Sequence, residues 1–162
     1  MARRGARRPS TAQRRSGQRH LGRARPPGHR RRVSVQLFVV DASVVVEVLR
    51  RSSRGDAVAA TMRGATLAAP AHLDAEVLSA LGRLVRGGDA EAARVTRALD
   101  RLVRLPVERL PVAPLVQRAW ELRKNIALRD GLYIACAETL GATLLTLDGR
   151  LARSAPVPVE LP

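Results

Sequence analysis

Several residue types are scarce in this chain of 162 residues, and each scarcity excludes a class of protein. One cysteine, Cys136, excludes both an intramolecular disulfide and a cysteine-based zinc site. One phenylalanine, one tryptophan and one tyrosine are too few for a platform on which bases stack. No apolar run approaches the roughly 18 residues of a membrane span, and no secretory signal is recognisable. We therefore expect a soluble, cytoplasmic protein without a membrane partner. Cys136 lies in an apolar, helical stretch at 132–140 and is expected in the core.

Acidic residues are absent from residues 1–32, which hold twelve arginines. The rest of the chain has 17 of the 29 basic residues and all 14 acidic ones. Most of the net charge of +15 therefore belongs to this tail. Proline, glycine, serine and glutamine separate the arginines, and such a segment cannot bury enough apolar surface to order itself. We predict a disordered, Arg-rich tail. Three interpretations remain open: an RNA-binding arm, a solvated extension without a role, or a start codon assigned too early.

Residues 33–162 alternate short apolar runs with amphipathic stretches, as one α/β domain does. Strands are predicted at 37–40, 66–69, 107–112, 143–147 and 157–159. Helices are predicted between them, with Ser43 and Asp89 as N-caps and Pro114 in a first turn. In the third and fourth helices, Leu78 and Val103 are among the residues expected to face inward. The order predicts a mainly parallel sheet covered by helices on both faces.

Four carboxylates occupy positions that would bring them together in such a sheet. Asp41 and Asp148 each follow a predicted strand, and the carboxyl ends of parallel strands share one rim. Asp130 at a helix start and Glu76 within a helix complete the cluster if those helices flank that rim. Each acid also has a purely structural alternative, such as a helix cap or an Asp-Gly turn. Asp74 points about 160° away from Glu76 around the same helix, and the helix dipole explains it.

A cluster of four carboxylates requires a cation. Two carboxylates about 4 Å apart repel each other by about 4 kcal/mol at an effective dielectric constant near 20. With one cysteine and only His72 in the domain, the ligands are oxygen atoms, which favours Mg²⁺ or Mn²⁺. Such ions activate water and stabilise the charge that develops on a phosphodiester. The sequence therefore predicts metal-dependent phosphodiester chemistry.

Other polar residues near these acids have both a functional and a structural interpretation. Thr146 is suited to orient a phosphate or a metal-bound water, but it also fits a strand. Arg123, Lys124 and Arg129 are candidates for RNA phosphate contacts, although charge runs are usually solvated faces. His72 is expected to be structural or exposed.

Three segments carry a family resemblance: 39–49 (VVDASVVVEVL), 69–84 (APAHLDAEVLSALGRL) and 128–151 (LRDGLYIACAETLGATLLTLDGRL). Together they closely resemble PIN-domain ribonucleases, specifically the VapC toxins of type II bacterial toxin–antitoxin pairs. The resemblance covers roughly residues 35–162. Its order of strand Asp, helix Glu, helix-start Asp and strand Thr-x-Asp is more specific than any single motif.

The resemblance implies a PIN-like three-layer domain that acts as a Mg²⁺-dependent endoribonuclease on RNA. It assigns catalytic and metal-binding roles to Asp41, Glu76, Asp130 and Asp148, and matches Thr146 to the threonine before the last acid. It also implies a homodimer and a small antitoxin partner that blocks the site. Two departures are Arg129 and Gly131 in place of the usual Tyr and Ala, and the tail, which has no family counterpart.

Two other functions compete with this hypothesis. A non-catalytic RNA-binding or regulatory PIN-like protein would bind RNA without cleaving it. A phosphatase or receiver domain would use Asp41 as nucleophile or phosphate acceptor, but Ser43 stands where the phosphatase needs a second Asp. Lys124, the only lysine, ends a predicted helix and is not placed for either.

Overall fold

A five-stranded parallel sheet organises residues 35–162, the part of the chain that this computed structural model describes. Its order is β3-β2-β1-β4-β5, and every neighbouring pair is parallel, which confirms the predicted α/β class. The strands are β1 (Leu37–Val40), β2 (Thr66–Pro70), β3 (Val107–Leu110), β4 (Thr143–Leu145) and β5 (Val159–Glu160). The tail predicted at residues 1–32 lies outside the described residues.

In residues 35–162, seven helices flank this sheet. They are α1 (Ala42–Arg50), α2 (Ser53–Met62), α3 (Leu73–Arg86), α4 (Ala92–Arg104), α5 (Val116–Glu121), α6 (Leu128–Leu140) and α7 (Gly149–Ser154). Short 3-10 turns at Ala113–Leu115 and Leu122–Lys124 flank α5, and Pro114 lies in the first of them, as predicted for this proline. Within residues 35–162, no helix is both long and apolar enough to span a bilayer.

The central strand and α6 supply much of the core. β1 has the sequence LFVV and pairs with strands on both sides, so three of its four residues are buried. In α6, the run from Tyr133 to Ala137 is buried, and Cys136 is completely so, which confirms it as a core residue. A Cβ on Gly131 would lie 3.2 Å from the backbone of Ala119. Glycine at 131 therefore lets α5 approach α6 closely.

Three predicted strands, 107–112, 143–147 and 157–159, have other bounds in the structure, and four predictions of helix caps and buried side chains were wrong. Asp41 caps α1 in place of Ser43, and Glu91 precedes α4 in place of Asp89. Leu78 and Val103 are 54% and 83% exposed, although both were expected to face inward. Each directly follows a buried residue, Val77 and Leu102 respectively. One further residue rotates a helical side chain by about 100°, which carries it off the buried stripe.

Candidate active site

Asp41 lies at the junction of β1 and α1 and is only 5% exposed. Its Oδ1 accepts hydrogen bonds from the Ser43 hydroxyl at 2.6 Å and the Val44 amide at 3.1 Å. Its Oδ2 accepts one from the Thr146 hydroxyl at 2.5 Å. Burial raises the pKa of Asp41, and these hydrogen bonds partly oppose that rise. The carboxylate is held firmly in one orientation at the buried floor of the site.

Thr146 connects the ends of the two central strands. Its hydroxyl donates to Asp41 and accepts from the backbone N–H of Asp148 at 3.0 Å. The residue is completely buried just after β4. Ser43 makes a similar bridge, since its hydroxyl donates to Asp41 and accepts from the Leu147 N–H at 3.0 Å. This explains why Ser43 does not cap α1: its hydroxyl is occupied between the two strands.

Glu76 projects from α3 into the site. Its Oε2 accepts a hydrogen bond from the Tyr133 hydroxyl at 2.8 Å, and its Oε1 lies 3.1 Å from Nη1 of Arg129. Asp74 instead forms a two-point pair with Arg109, at 3.0 and 3.3 Å. The structure thus separates the two acids of α3 as the helical geometry predicts.

His72 packs against the same tyrosine. Its ring centroid lies 4.7 Å from that of Tyr133, and its Nε2 is 3.6 Å from Oε2 of Glu76. Neither ring nitrogen has a hydrogen-bond partner among the described residues. Burial lowers the pKa of His72, while the charge of Glu76 opposes that shift. The half-buried imidazole is therefore neutral near pH 7, in keeping with the structural role expected for it.

Asp130 and Asp148 form the outer part of the site. Asp130 is half-buried in the first turn of α6, and burial is the main cause of its raised pKa. The negative charges of Glu76, Asp148 and Asp41, in that order, raise it further. Asp148 is exposed and caps α7, its Oδ1 accepting from the N–H groups of Arg150 and Leu151 at 2.7 and 3.2 Å. Asp148 therefore has a structural role as a helix cap, in place of the Asp-Gly turn considered for it, beside its place in the site.

All four acids line one cleft of about 440 Å³. Their carboxylates do not close around a common point: among residues 35–162, no three His, Cys, Asp or Glu side chains form a ready-made metal site. These side chains nevertheless suit a hard cation such as Mg²⁺, because all four present carboxylate oxygen atoms as ligands. A bound cation would also offset the repulsion between the negative charges of neighbouring carboxylates. Their roles as metal ligands stay a prediction.

Sequence reasoning missed two contributors to this cleft. Tyr133 holds Glu76, and it lies three residues after Asp130 on the same helix. Residues three apart share a helix face, so that spacing was an available signal. Arg129 was considered only for RNA contacts, yet it pairs with Glu76. Arg123 packs its guanidinium 4.5 Å from the centre of the Trp120 ring and does not line the cleft.

Comparison with known proteins places this geometry in a family. Residues 38–155 match the family model of the PIN domain. The chain is 49% identical over 119 residues to Ribonuclease VapC3 of Mycobacterium tuberculosis, covering 73% of this chain and 87% of that relative. It is 42% identical over 118 residues to Ribonuclease VapC12 of the same organism, covering 73% and 92%.

A solved structure supports the fold. VapBC2 from Rickettsia felis, bound to a DNA fragment from their promoter, matches with a TM-score of 0.58 at 15% identity, over 78% of this chain and 98% of that one. The resemblance drawn from the three sequence segments is therefore confirmed. On the strength of the domain match and the identity to two VapC ribonucleases, the chain belongs to the PIN-domain family and, within it, to the VapC toxins of toxin–antitoxin pairs.

Proposed function

We propose that this chain is a Mg²⁺-dependent endoribonuclease that hydrolyses phosphodiester bonds in RNA, with Mn²⁺ as a substitute ion. The observation that carries the proposal is electrostatic. Four carboxylates from separate elements line one cleft, and the pKa of Asp130 is raised first by burial and then by the charges of the other three. Such repulsion destabilises the fold unless a cation offsets it. The names of the VapC relatives support ribonuclease chemistry.

The proposed ligands are Asp41, Glu76, Asp130 and Asp148. When bound, Mg²⁺ supplies an activated water and neutralises the charge that builds on the phosphodiester. The chain itself supplies orientation: Thr146 fixes the carboxylate of Asp41. The hydroxyl of Tyr133 likewise fixes that of Glu76. Preorganised ligands lose less freedom when the substrate arrives, which lowers the barrier to reaction.

The test compares metal-dependent cleavage by the protein with that of a single-acid variant. Labelled RNA should be cleaved in Mg²⁺ or Mn²⁺ and remain intact in EDTA. Asp41→Asn should lower the rate by at least about 100-fold, because a bound metal contributes several kcal/mol. Asp100→Asn, an exposed acid on α4 outside the cleft, is the matched control and should cleave normally.

Purifying the variants in parallel removes host ribonucleases as an explanation. Cleavage by a folded Asp41→Asn at the normal rate would refute the proposal. Binding of RNA without cleavage by the unaltered protein would support the non-catalytic alternative.

The proposed partner is a small antitoxin that covers the cleft. Support comes from membership of the VapC family and from the fold shared with VapBC2. Expressing the protein with and without its neighbouring small reading frame, and sequencing the new RNA 5′ ends, tests both inhibition and target. If the neighbouring product neither binds nor inhibits, it is not the partner.

A homodimer is the proposed assembly. On α5 and α6, the side chains of Val116, Trp120 and Leu128 are 50–53% exposed, although all three are large and apolar. Val116 and Trp120 lie one turn apart on α5, and exposed apolar groups that share a helix face favour association with another protein surface. Light scattering should give the mass of two chains, and Trp120→Glu should reduce it to that of one.

A further inference from the structure

The carboxylate cleft does not end at Asp130 and Asp148. A second cavity of about 280 Å³ lies on their other side, and both acids line it as well. Polar side chains of Asn125, Arg150 and Ser154 also line this second cavity. The two acids therefore form a wall common to two depressions, which together make one longer groove.

Arginines line both cavities of this groove. Arg54 on α2 and Arg83 on α3 line the first cavity, and Arg150 on α7 lines the second. All three are exposed, and within residues 35–162 none has a guanidinium that donates a hydrogen bond or joins an ion pair. By contrast, the guanidinium groups of Arg109 and Arg118 are each bound to acids of the fold.

The acids and arginines have opposite consequences for a polyanion. Carboxylates repel a phosphate, so the central acids alone would exclude RNA from the cleft. Guanidinium groups on both sides attract the flanking phosphates and hold the strand in spite of that repulsion. Asp41 at the buried floor favours a single strand, which enters a cleft more readily than a duplex does.

We propose that one RNA strand crosses the Asp130–Asp148 wall, with phosphates held by Arg54 and Arg83 on one side and by Arg150 on the other. Asn125 and Ser154 then offer hydrogen bonds to a ribose 2′-hydroxyl or a base edge in the second cavity. The inference rests on the proposed function, because it assigns positions to the substrate of the same site. It makes Arg150 a substrate-positioning residue on α7, beyond the four acids.

The first experiment measures how RNA affinity depends on salt. The probe is a short fluorescein-labelled single-stranded RNA of mixed sequence, bound to the full chain in EDTA so that it is not cleaved. Each phosphate contact contributes about 0.7 to the slope of log K against log salt for single strands. Arg150→Gln should therefore lower the slope by about 0.7, and the Arg54→Gln/Arg83→Gln double variant by about 1.4.

Matched controls come from α4. Arg97 and Arg104 are exposed and line neither cavity, so Arg97→Gln and the Arg97→Gln/Arg104→Gln double variant should leave the slope unchanged. Residues 1–34 are identical in every protein compared, so their contribution cancels in the differences. If Arg150→Gln gives the same slope as Arg97→Gln, the path across the wall is wrong.

A crosslinking experiment locates the strand independently of affinity. Cys136 is completely buried, so Ser154→Cys provides a single accessible thiol for a benzophenone maleimide. Irradiation should crosslink the labelled RNA at position 154 far more than at Arg97→Cys. Equal crosslinking at the two positions would also overturn the path.

Cleavage in Mg²⁺ by the unaltered protein is scored separately. If it cleaves but Arg150→Gln behaves as the α4 controls do, the proposed function stands and the path fails. If it does not cleave while Arg150→Gln lowers the slope and Ser154→Cys crosslinks, the endoribonuclease proposal fails and the path stands as an RNA-binding groove.

Discussion

Two carboxylates on α6, one near each end, show how differently a single helix treats its acids. Glu138 accepts a two-point hydrogen bond from Arg118 at 2.7 and 2.8 Å, and this interaction lowers its pKa. Asp130 is half-buried beside three other acids, and burial and their charges raise its pKa. The ionised form is thus favoured by folding at Glu138 and disfavoured at Asp130. At the end of α6 that faces the cleft, the fold therefore contains a carboxylate whose charge lowers its stability.

The largest expected effect separates the two acids by activity. Asp130→Asn should lower metal-dependent RNA cleavage by at least about 100-fold, because it removes a proposed ligand of the metal. Glu138→Gln should retain cleavage within about twofold, since exposed ion pairs contribute little and this one lies outside the cleft. Initial rates on labelled RNA at saturating Mg²⁺ provide the comparison.

Each variant differs from the unaltered protein by one carboxylate. Circular dichroism must show that both variants are folded before their activities are compared. Equal losses of activity in two folded variants would show that α6 as a whole, and not the acid cluster, supports the reaction.

A smaller loss is expected when the acid stays and its hydrogen-bond donor goes. Tyr133→Phe keeps the ring that packs on His72 but removes the hydroxyl that holds Glu76. Groups that orient metal ligands typically contribute about 10–100-fold to metal affinity or activity. We expect the Mg²⁺ concentration for half-maximal cleavage to rise by at least about tenfold on this basis.

Displacement of bound Mn²⁺ by added Mg²⁺, followed by electron paramagnetic resonance of the Mn²⁺, gives the same comparison without catalysis. An unchanged metal requirement in both assays would mean that Tyr133 does not position Glu76.

The sheet was predictable from the sequence because its strands are short runs of apolar, partly β-branched residues. Leu37–Val40 ends directly at Asp41, and Thr143–Leu145 leads through Thr146 to Asp148. Such runs predict where a strand ends and therefore which side chain lies just after its carboxyl end. Parallel pairing then places both acids at one rim, where the structure has them.

Helix caps and the surroundings of the acids were less predictable, because they depend on partners distant in sequence. Ser43 looks like a cap until Leu147, 104 residues away, donates its N–H to the same hydroxyl. Asp74 fits a dipole argument, but its partner is Arg109, 35 residues on. Local pattern identifies which residues can cap or pair, and tertiary contacts decide which of them do.

A third prediction concerns stability in EDTA near neutral pH. Asp130→Asn should raise the free energy of unfolding by about 1 kcal/mol, since it removes a charge that the fold disfavours. Glu138→Gln should lower it, because the neutral amide keeps only part of the interaction with Arg118. Urea denaturation followed by circular dichroism measures both. A lower free energy of unfolding in Asp130→Asn than in the unaltered protein would contradict the proposal that the charge of Asp130 destabilises the fold.

The smallest expected effect is the pH dependence, in EDTA, of the difference in unfolding free energy between each variant and the unaltered protein. This dependence tests most directly whether Asp130 and Glu138 differ. An acid whose pKa rises on folding binds its proton more tightly in the folded state. Its contribution to stability therefore falls as pH rises from the ordinary value of 3.8 through the raised pKa of folded Asp130. The stability gain of Asp130→Asn over the unaltered protein should grow across that window and then level off.

Glu138 should behave in the opposite way. Its pKa is lowered on folding, so its contribution is complete above the ordinary value of 4.5 and disappears as pH falls through the lowered pKa. The stability deficit of Glu138→Gln should therefore shrink toward acid pH, where the Asp130→Asn gain also vanishes. Because both differences approach small values in acid but have opposite signs at neutral pH, the two curves should diverge as pH rises. Parallel curves would mean that folding shifts the pKa values of Asp130 and Glu138 in the same direction.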